Sequence, residues 1–84
     1  MKALYDRYAA FRARVRARET LFGTWITLGH PAVGELLADC GFDWLVIDME
    51  HSAIGIAEAQ ALIQVISRAG GVPLVRMPDR NPTH

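Results

Sequence analysis

Cysteine is almost absent from this chain: Cys40 stands alone among 84 residues. One thiol cannot close an internal disulfide, and nothing else points to an oxidising compartment. Long hydrophobic runs are missing too, and no apolar stretch approaches the roughly 20 residues of a membrane span. The amino terminus is charged and has no apolar secretory core, which argues against a signal peptide. Aromatics are few, at 8%, and the formal net charge is +0. Low-complexity stretches and long linkers are lacking. What is there, 51% hydrophobic residues, is a globular composition, neither disordered nor fibrous. A cytoplasmic protein fits best.

The neutral total hides an uneven distribution. Residues 1–18 carry Lys2, Arg7, Arg12, Arg14, Arg16 and Arg18 against Asp6 alone, while Arg68, Arg76 and Arg80 face all the other acids. Such a basic segment suits a nucleic-acid contact or a targeting helix. Its spacing favours a plainer reading. Leu4, Tyr8, Phe11 and Val15 fall on one face of an α-helix, with the arginines spread over the rest. No aromatic platform is interleaved with them for stacking on bases. A packed amphipathic helix over residues 1–20 is therefore expected, with no nucleic acid or membrane as partner.

From residue 21 the chain alternates. Residues 22–28, Phe-Gly-Thr-Trp-Ile-Thr-Leu, are rich in β-branched and aromatic side chains and read as a first strand. Pro31 suits the first turn of a helix, and Val33, Leu36, Leu37 and Cys40 supply its inner stripe before Gly41 stops it. Cys40 is thus expected as a small core residue. Residues 44–48 form a second strand, and a loop around His51 leads to a helix over 56–69 with Ala59, Leu62, Ile63 and Ile66 inward. Gly70-Gly71 ends it as punctuation, with no glycine pattern for a phosphate cradle. Residues 72–76 make a third strand, and Asn81-Pro82 suggests the start of another helix.

Strand, helix, strand, helix, strand implies parallel strands joined by right-handed crossovers. Three such strands leave one sheet face bare and both edges unpaired. The fold class is α/β. Residues 21–84 are expected to be the first βαβαβ portion of an incomplete (β/α)8 TIM barrel, a fold of about 250 residues.

The chemistry gathers at strand ends. An apolar run, Trp44-Leu-Val-Ile47, stops at Asp48, Glu50 and His51. The third strand stops at Arg76. In a parallel sheet these tips share one rim, where α/β folds place their active sites. The set suits removal of a proton beside a carbonyl. A histidine can take it, an arginine can steady the enolate oxygen, and acids can bind a divalent cation or its waters. Each residue also has a plainer role. Asp48 could form a turn, Glu50 could be solvated, His51 could be a surface imidazole and Arg76 could pair with a nearby carboxylate. His30, just before Pro31, reads as a turn or helix-start residue, His84 is uninformative, and Trp44 and Met77 read as packing.

Trp44-Leu-Val-Ile-Asp-Met-Glu-His51, with Gly23-Thr-Trp-Ile26 upstream and Pro73-Leu-Val-Arg-Met-Pro78 downstream, resembles the HpcH/HpaI aldolase family of class II, metal-dependent pyruvate aldolases. The likeness runs from about Phe11 onward and covers the amino-terminal third of a family barrel. One departure is Met49, where the family usually has glycine. The resemblance implies reversible cleavage of 4-hydroxy-2-oxo acids to pyruvate and an aldehyde through a pyruvate enolate. It implies His51 and Arg76 as catalytic residues, and Asp48, Glu50 and Trp25 in the shell around substrate and metal waters. It implies a divalent metal (Mg2+, Mn2+ or Co2+), with its direct ligands beyond this chain, a carboxylate orienting the histidine just past His84, and a hexameric homo-oligomer. The chain alone is then expected to be an inactive fragment of a carbon-carbon lyase. On the residues alone, another TIM-barrel lyase or isomerase acting on a phosphorylated sugar, or a non-catalytic fragment, stays open.

Overall fold

A computed structural model describes residues 2–77. Helix α1 (Lys2–Arg16) is followed by β1 (Gly23–Ile26), α2 (Pro31–Asp39), β2 (Trp44–Asp48), α3 (Ile56–Arg68) and β3 (Pro73–Arg76). The strands form one parallel sheet in the order β1-β2-β3, as the alternation requires. The expected helix start at Asn81-Pro82 lies outside the described residues. Among those residues no helix is long and apolar enough to cross a membrane.

Side chains alternate across the sheet. Ile26, Leu45 and Ile47 face the helices and meet Ala38, Ile54, Ala59, Leu62 and Ile66 in the core. Leu45, Ile47, Leu62 and Ile66 are fully buried, each worth about 1.5–3 kcal/mol of transfer free energy. Trp25, Val46 and Leu74 form a row on the opposite face, with the facing pair Asp48 and Arg76 one step further on. In a closed barrel that face lines the lumen.

Helix α1 lies across the amino-terminal ends of the strands. Arg7 Nη1 donates to the Gly71 carbonyl at 2.8 Å, and the Tyr8 hydroxyl donates to the Pro73 carbonyl. Arg14 reaches Asp43 Oδ1 at 2.8 Å, and Asp43 Oδ2 accepts the Phe22 N–H at 2.8 Å, tying α1 to the starts of β1 and β2. Two of the arginines that give the segment its charge therefore serve to dock it. Leu4, Tyr8 and Phe11 are half-buried as the spacing predicts, but Val15 is exposed.

The helix ends follow local chemistry. His30 caps α2, its Nδ1 accepting the Ala32 N–H at 3.1 Å, with Pro31 at the first helical position. Glu58 reaches back to the Gly55 N–H at 3.1 Å to close the start of α3. Gly41 and Gly70 take the left-handed conformation after α2 and α3, at φ 87° and 90°.

The inner face of α2 differs from the expected stripe. Gly34 and Ala38 are the buried positions, Leu37 packs against the core from its edge, and Leu36 and Cys40 are exposed. The reason is a close helix crossing: a Cβ at Gly34 would lie 2.8 Å from Leu62 Cδ2 and 3.3 Å from Ile66 Cγ1. With the smallest residues at the contact, the larger ones are turned to its flanks. The first strand is also shorter than expected, since Phe22 and Leu28 are exposed and pairing with β2 runs from Gly23 to Ile26.

Candidate active site

Asp48 ends β2 and is the one charged side chain buried among the described residues, at 5% exposure. Its Oδ1 accepts the backbone N–H groups of Glu50 and His51, both at 2.9 Å. The plainer reading of Asp48 as a turn former is therefore correct, and the turn it forms places the next two ionisable residues. The His51 N–H bond is the main cause holding its carboxyl below the usual aspartate range. Desolvation works against that, and the Glu50 N–H and the charges of His51 and Arg76 add to it.

Ser52 completes the loop. Its hydroxyl donates to the Asp48 carbonyl and accepts the Ile54 N–H at 3.1 Å, while Ile54 is buried in the core. Nothing in the strand-end pattern singles out Ser52, although serine is a turn residue whose hydroxyl can accept a backbone N–H two positions on, as it does here. Met49 is not forced into a glycine conformation, because Arg18 is the one non-glycine residue described with positive φ. The Met49 side chain packs against the core, and its N–H extends the ladder to the Arg76 carbonyl at 3.0 Å.

Glu50 then gathers the rim. Its Oε1 lies 2.9 Å from His51 Nε2 and 3.1 Å from Arg76 Nη2. The Arg76 guanidinium carbon lies over the Trp25 ring, 5.5 Å from its centroid. Trp25, Asp48, Glu50, His51 and Arg76, which the sequence singles out, thus converge at the carboxyl end of the sheet. His30 does not join them and serves α2 instead. A separate groove of about 780 Å³ runs between α1 and α3, lined by Leu4, Arg7, Gln60, Ile63, Gln64 and Ser67 among others, and none of the five residues reaches it.

The cluster has one imidazole, one guanidinium and two carboxylates, with the imidazole and much of the guanidinium open to solvent. It can accept a proton and steady an oxyanion. It does not make a metal site by itself: among the described residues no group of three or more His, Cys, Asp or Glu could hold a metal ion. Both backbone donors to Asp48 fall on Oδ1 and both basic groups at Glu50 fall on Oε1, so neither carboxylate could grip a cation with both oxygens without giving up these bonds.

No protein-family model matches the chain. It is 42% identical over 57 residues to a hydroxypyruvate/pyruvate aldolase of Sagittula stellata, covering 68% of this chain and 22% of that protein. It is 33% identical over 72 residues to a 5-keto-4-deoxy-D-glucarate aldolase of Escherichia coli, covering 86% of this chain and 28% of that one. Among solved structures, an HpcH/HpaI aldolase/citrate lyase family protein from Burkholderia cenocepacia superposes with a TM-score of 0.78 at 36% identity, over 88% of this chain and 30% of that chain. The chain thus spans about a quarter of the length of the curated relatives it matches. It belongs to the HpcH/HpaI aldolase family and carries the amino-terminal portion of the family's α/β barrel.

Proposed function

We propose that this chain supplies the proton-transfer and enolate-binding corner of a class II aldolase that cleaves 4-hydroxy-2-oxo acids to pyruvate and an aldehyde. The observation that carries the reading is the shared Glu50 oxygen, which holds His51 and Arg76 together at the strand-end rim. In the cleavage direction the substrate's 4-hydroxyl gives up its proton to a base at that rim. The C3–C4 bond breaks, the aldehyde departs, and the electron pair becomes the pyruvate enolate. Protonation at C3 then yields pyruvate.

His51 is the base or acid for these protons, its ring exposed and its backbone fixed by Asp48. Arg76 stays charged throughout and faces the oxygen on which negative charge grows. Glu50, bonded to both through Oε1, orients them. By family resemblance a divalent cation, Mg2+, Mn2+ or Co2+, polarises the 2-oxo oxygen when bound. The described residues do not form its binding set, so Asp48 and Glu50 would sit near its waters. By the same resemblance the complete enzyme is a hexamer.

The test is proton exchange into the methyl group of pyruvate in D2O, followed by NMR with Mg2+ or Mn2+ present. The complete barrel should exchange, and His51→Ala should slow it by about 10²–10⁴-fold. Arg76→Ala should slow it by about 10²–10³-fold, the loss expected on removing one oxyanion donor. The 84-residue chain alone should not exchange. A complete barrel without metal-dependent exchange would end the aldolase reading.

A further inference from the structure

The guanidinium of Arg76 is held from two directions. Glu50 Oε1 accepts from its Nη2 at 3.1 Å, and the Trp25 ring lies against its carbon, 5.5 Å from the centroid. The two contacts come from different elements. Trp25 stands on β1 opposite Val46, while Arg76 ends β3 opposite Asp48, so the arginine reaches back across β2 to meet the ring. Trp25 is 47% exposed in this chain, on the sheet face that lines the lumen of a closed barrel, the same face that carries Arg76.

We propose that Trp25 is a positioning residue for Arg76, holding the guanidinium against its indole face so that the donors not taken by Glu50 are presented at the rim. This rests on the reading of Arg76 as the residue that steadies the enolate oxygen. A single bond to Glu50 leaves the long side chain free to turn about that contact. A second carboxylate would stop the turning but would also neutralise the cation. An aromatic face restrains it while leaving both the charge and the N–H groups available.

The first readout uses the 84-residue chain itself. The Arg76 side-chain N–H and CδH2 signals should be moved by the ring current of Trp25, return to free-arginine positions in Trp25→Leu, and keep part of the displacement in Trp25→Phe. Backbone amide dispersion reports folding, and Trp25→Phe carries the comparison if Trp25→Leu does not fold. Wild-type Arg76 signals at free-arginine positions, or signals unchanged by Trp25→Leu, overturn the proposal. The second readout uses the complete barrel. Because charge grows on the oxygen in the transition state, Trp25→Leu should lower kcat for pyruvate exchange about two- to fivefold, the size of an exposed cation–π contact, with KM less affected. Trp25→Phe should recover part of the rate, and equal losses in the two variants would overturn the positioning role. If the ring-current displacement is intact but the wild-type barrel shows no exchange, the aldolase reading falls and the Trp25–Arg76 contact stands, so the two failures are told apart.

Discussion

The backbone N–H of His51 donates to Oδ1 of Asp48 at 2.9 Å, so the last residue of a buried strand sets where the imidazole begins. That bond is also the largest reason the Asp48 carboxyl titrates below its ordinary value. A carboxyl depressed in the folded state favours folding above the unfolded pKa, about 3.9 for aspartate, and the contribution fades as pH falls through the folded value. The melting temperatures of wild type and Asp48→Asn should therefore differ most above about pH 5 and converge in stronger acid. Asp43 is depressed as well, by the Phe22 N–H first and by Arg14, and comparison with the variant isolates Asp48. Thermal melts at stepped pH decide it. A gap that persists unchanged into strong acid would show that the Asp48 charge is not the source.

Gly23 and Trp44 face each other in register at the start of the sheet, and a Cβ at Gly23 would fall inside the indole. A rigid ring pinned in a sheet cannot yield as a flexible side-chain tip can. Gly23→Ala should therefore destabilise by overpacking, about 1–3 kcal/mol in urea unfolding. Gly41 has open space around its Cβ position but φ of 87°, so Gly41→Ala should cost about 1 kcal/mol through backbone strain alone. Combining each with Trp44→Leu separates the mechanisms. The Gly23→Ala loss should shrink in the Trp44→Leu background, and the Gly41→Ala loss should not.

The sheet and the site cluster were legible in the sequence because both depend on short-range signals. The run from Trp44 to Ile47 stops at a polar residue, Asp48, and β2 ends there. Parallel alternation then puts the ends of β2 and β3 side by side, so Glu50, His51 and Arg76 had to share a rim. The His30 cap was readable from Pro31 beside it. The facing of α2 was not. Periodicity marks where large apolar residues recur, but here the distance between α2 and α3 is set by a residue with no side chain, Gly34. The reach of Arg76 across β2 to Trp25 is likewise a matter of rotamer and tertiary distance, which no spacing along the chain encodes.

That facing of α2 can be checked directly. Cys40 is exposed, so it should react with a thiol reagent in the native state about as fast as in denaturant. A core cysteine would be protected. Leu36 is 65% exposed, and Leu36→Glu should change stability by no more than about 0.5 kcal/mol. Leu62 is fully buried against Gly34, and Leu62→Ala should cost about 2–5 kcal/mol. A protected thiol together with a large Leu36→Glu loss would return α2 to the expected stripe.

Arg18 ends the turn after α1 in the left-handed region, at φ 57°, where glycine is the usual occupant. The turn is held by bonds from the Arg18 N–H to the Val15 carbonyl at 3.0 Å and from the Glu19 N–H to the Arg14 carbonyl at 3.2 Å. Holding an L-residue there costs about 1–2 kcal/mol, and the greater unfolded-state freedom of glycine offsets roughly 0.5–1 kcal/mol of any relief. Arg18→Gly should therefore stabilise the chain by about 0.5–1 kcal/mol, despite removing a cation from a chain of net charge +0. Urea midpoints measure the size, and slower amide exchange at Ala17 and Glu19 would place the gain at this turn. Arg18→Val, with a branched Cβ, should move both readings the other way. If Arg18→Gly is instead destabilising, the arginine side chain contributes more to docking α1 than its backbone strain takes away.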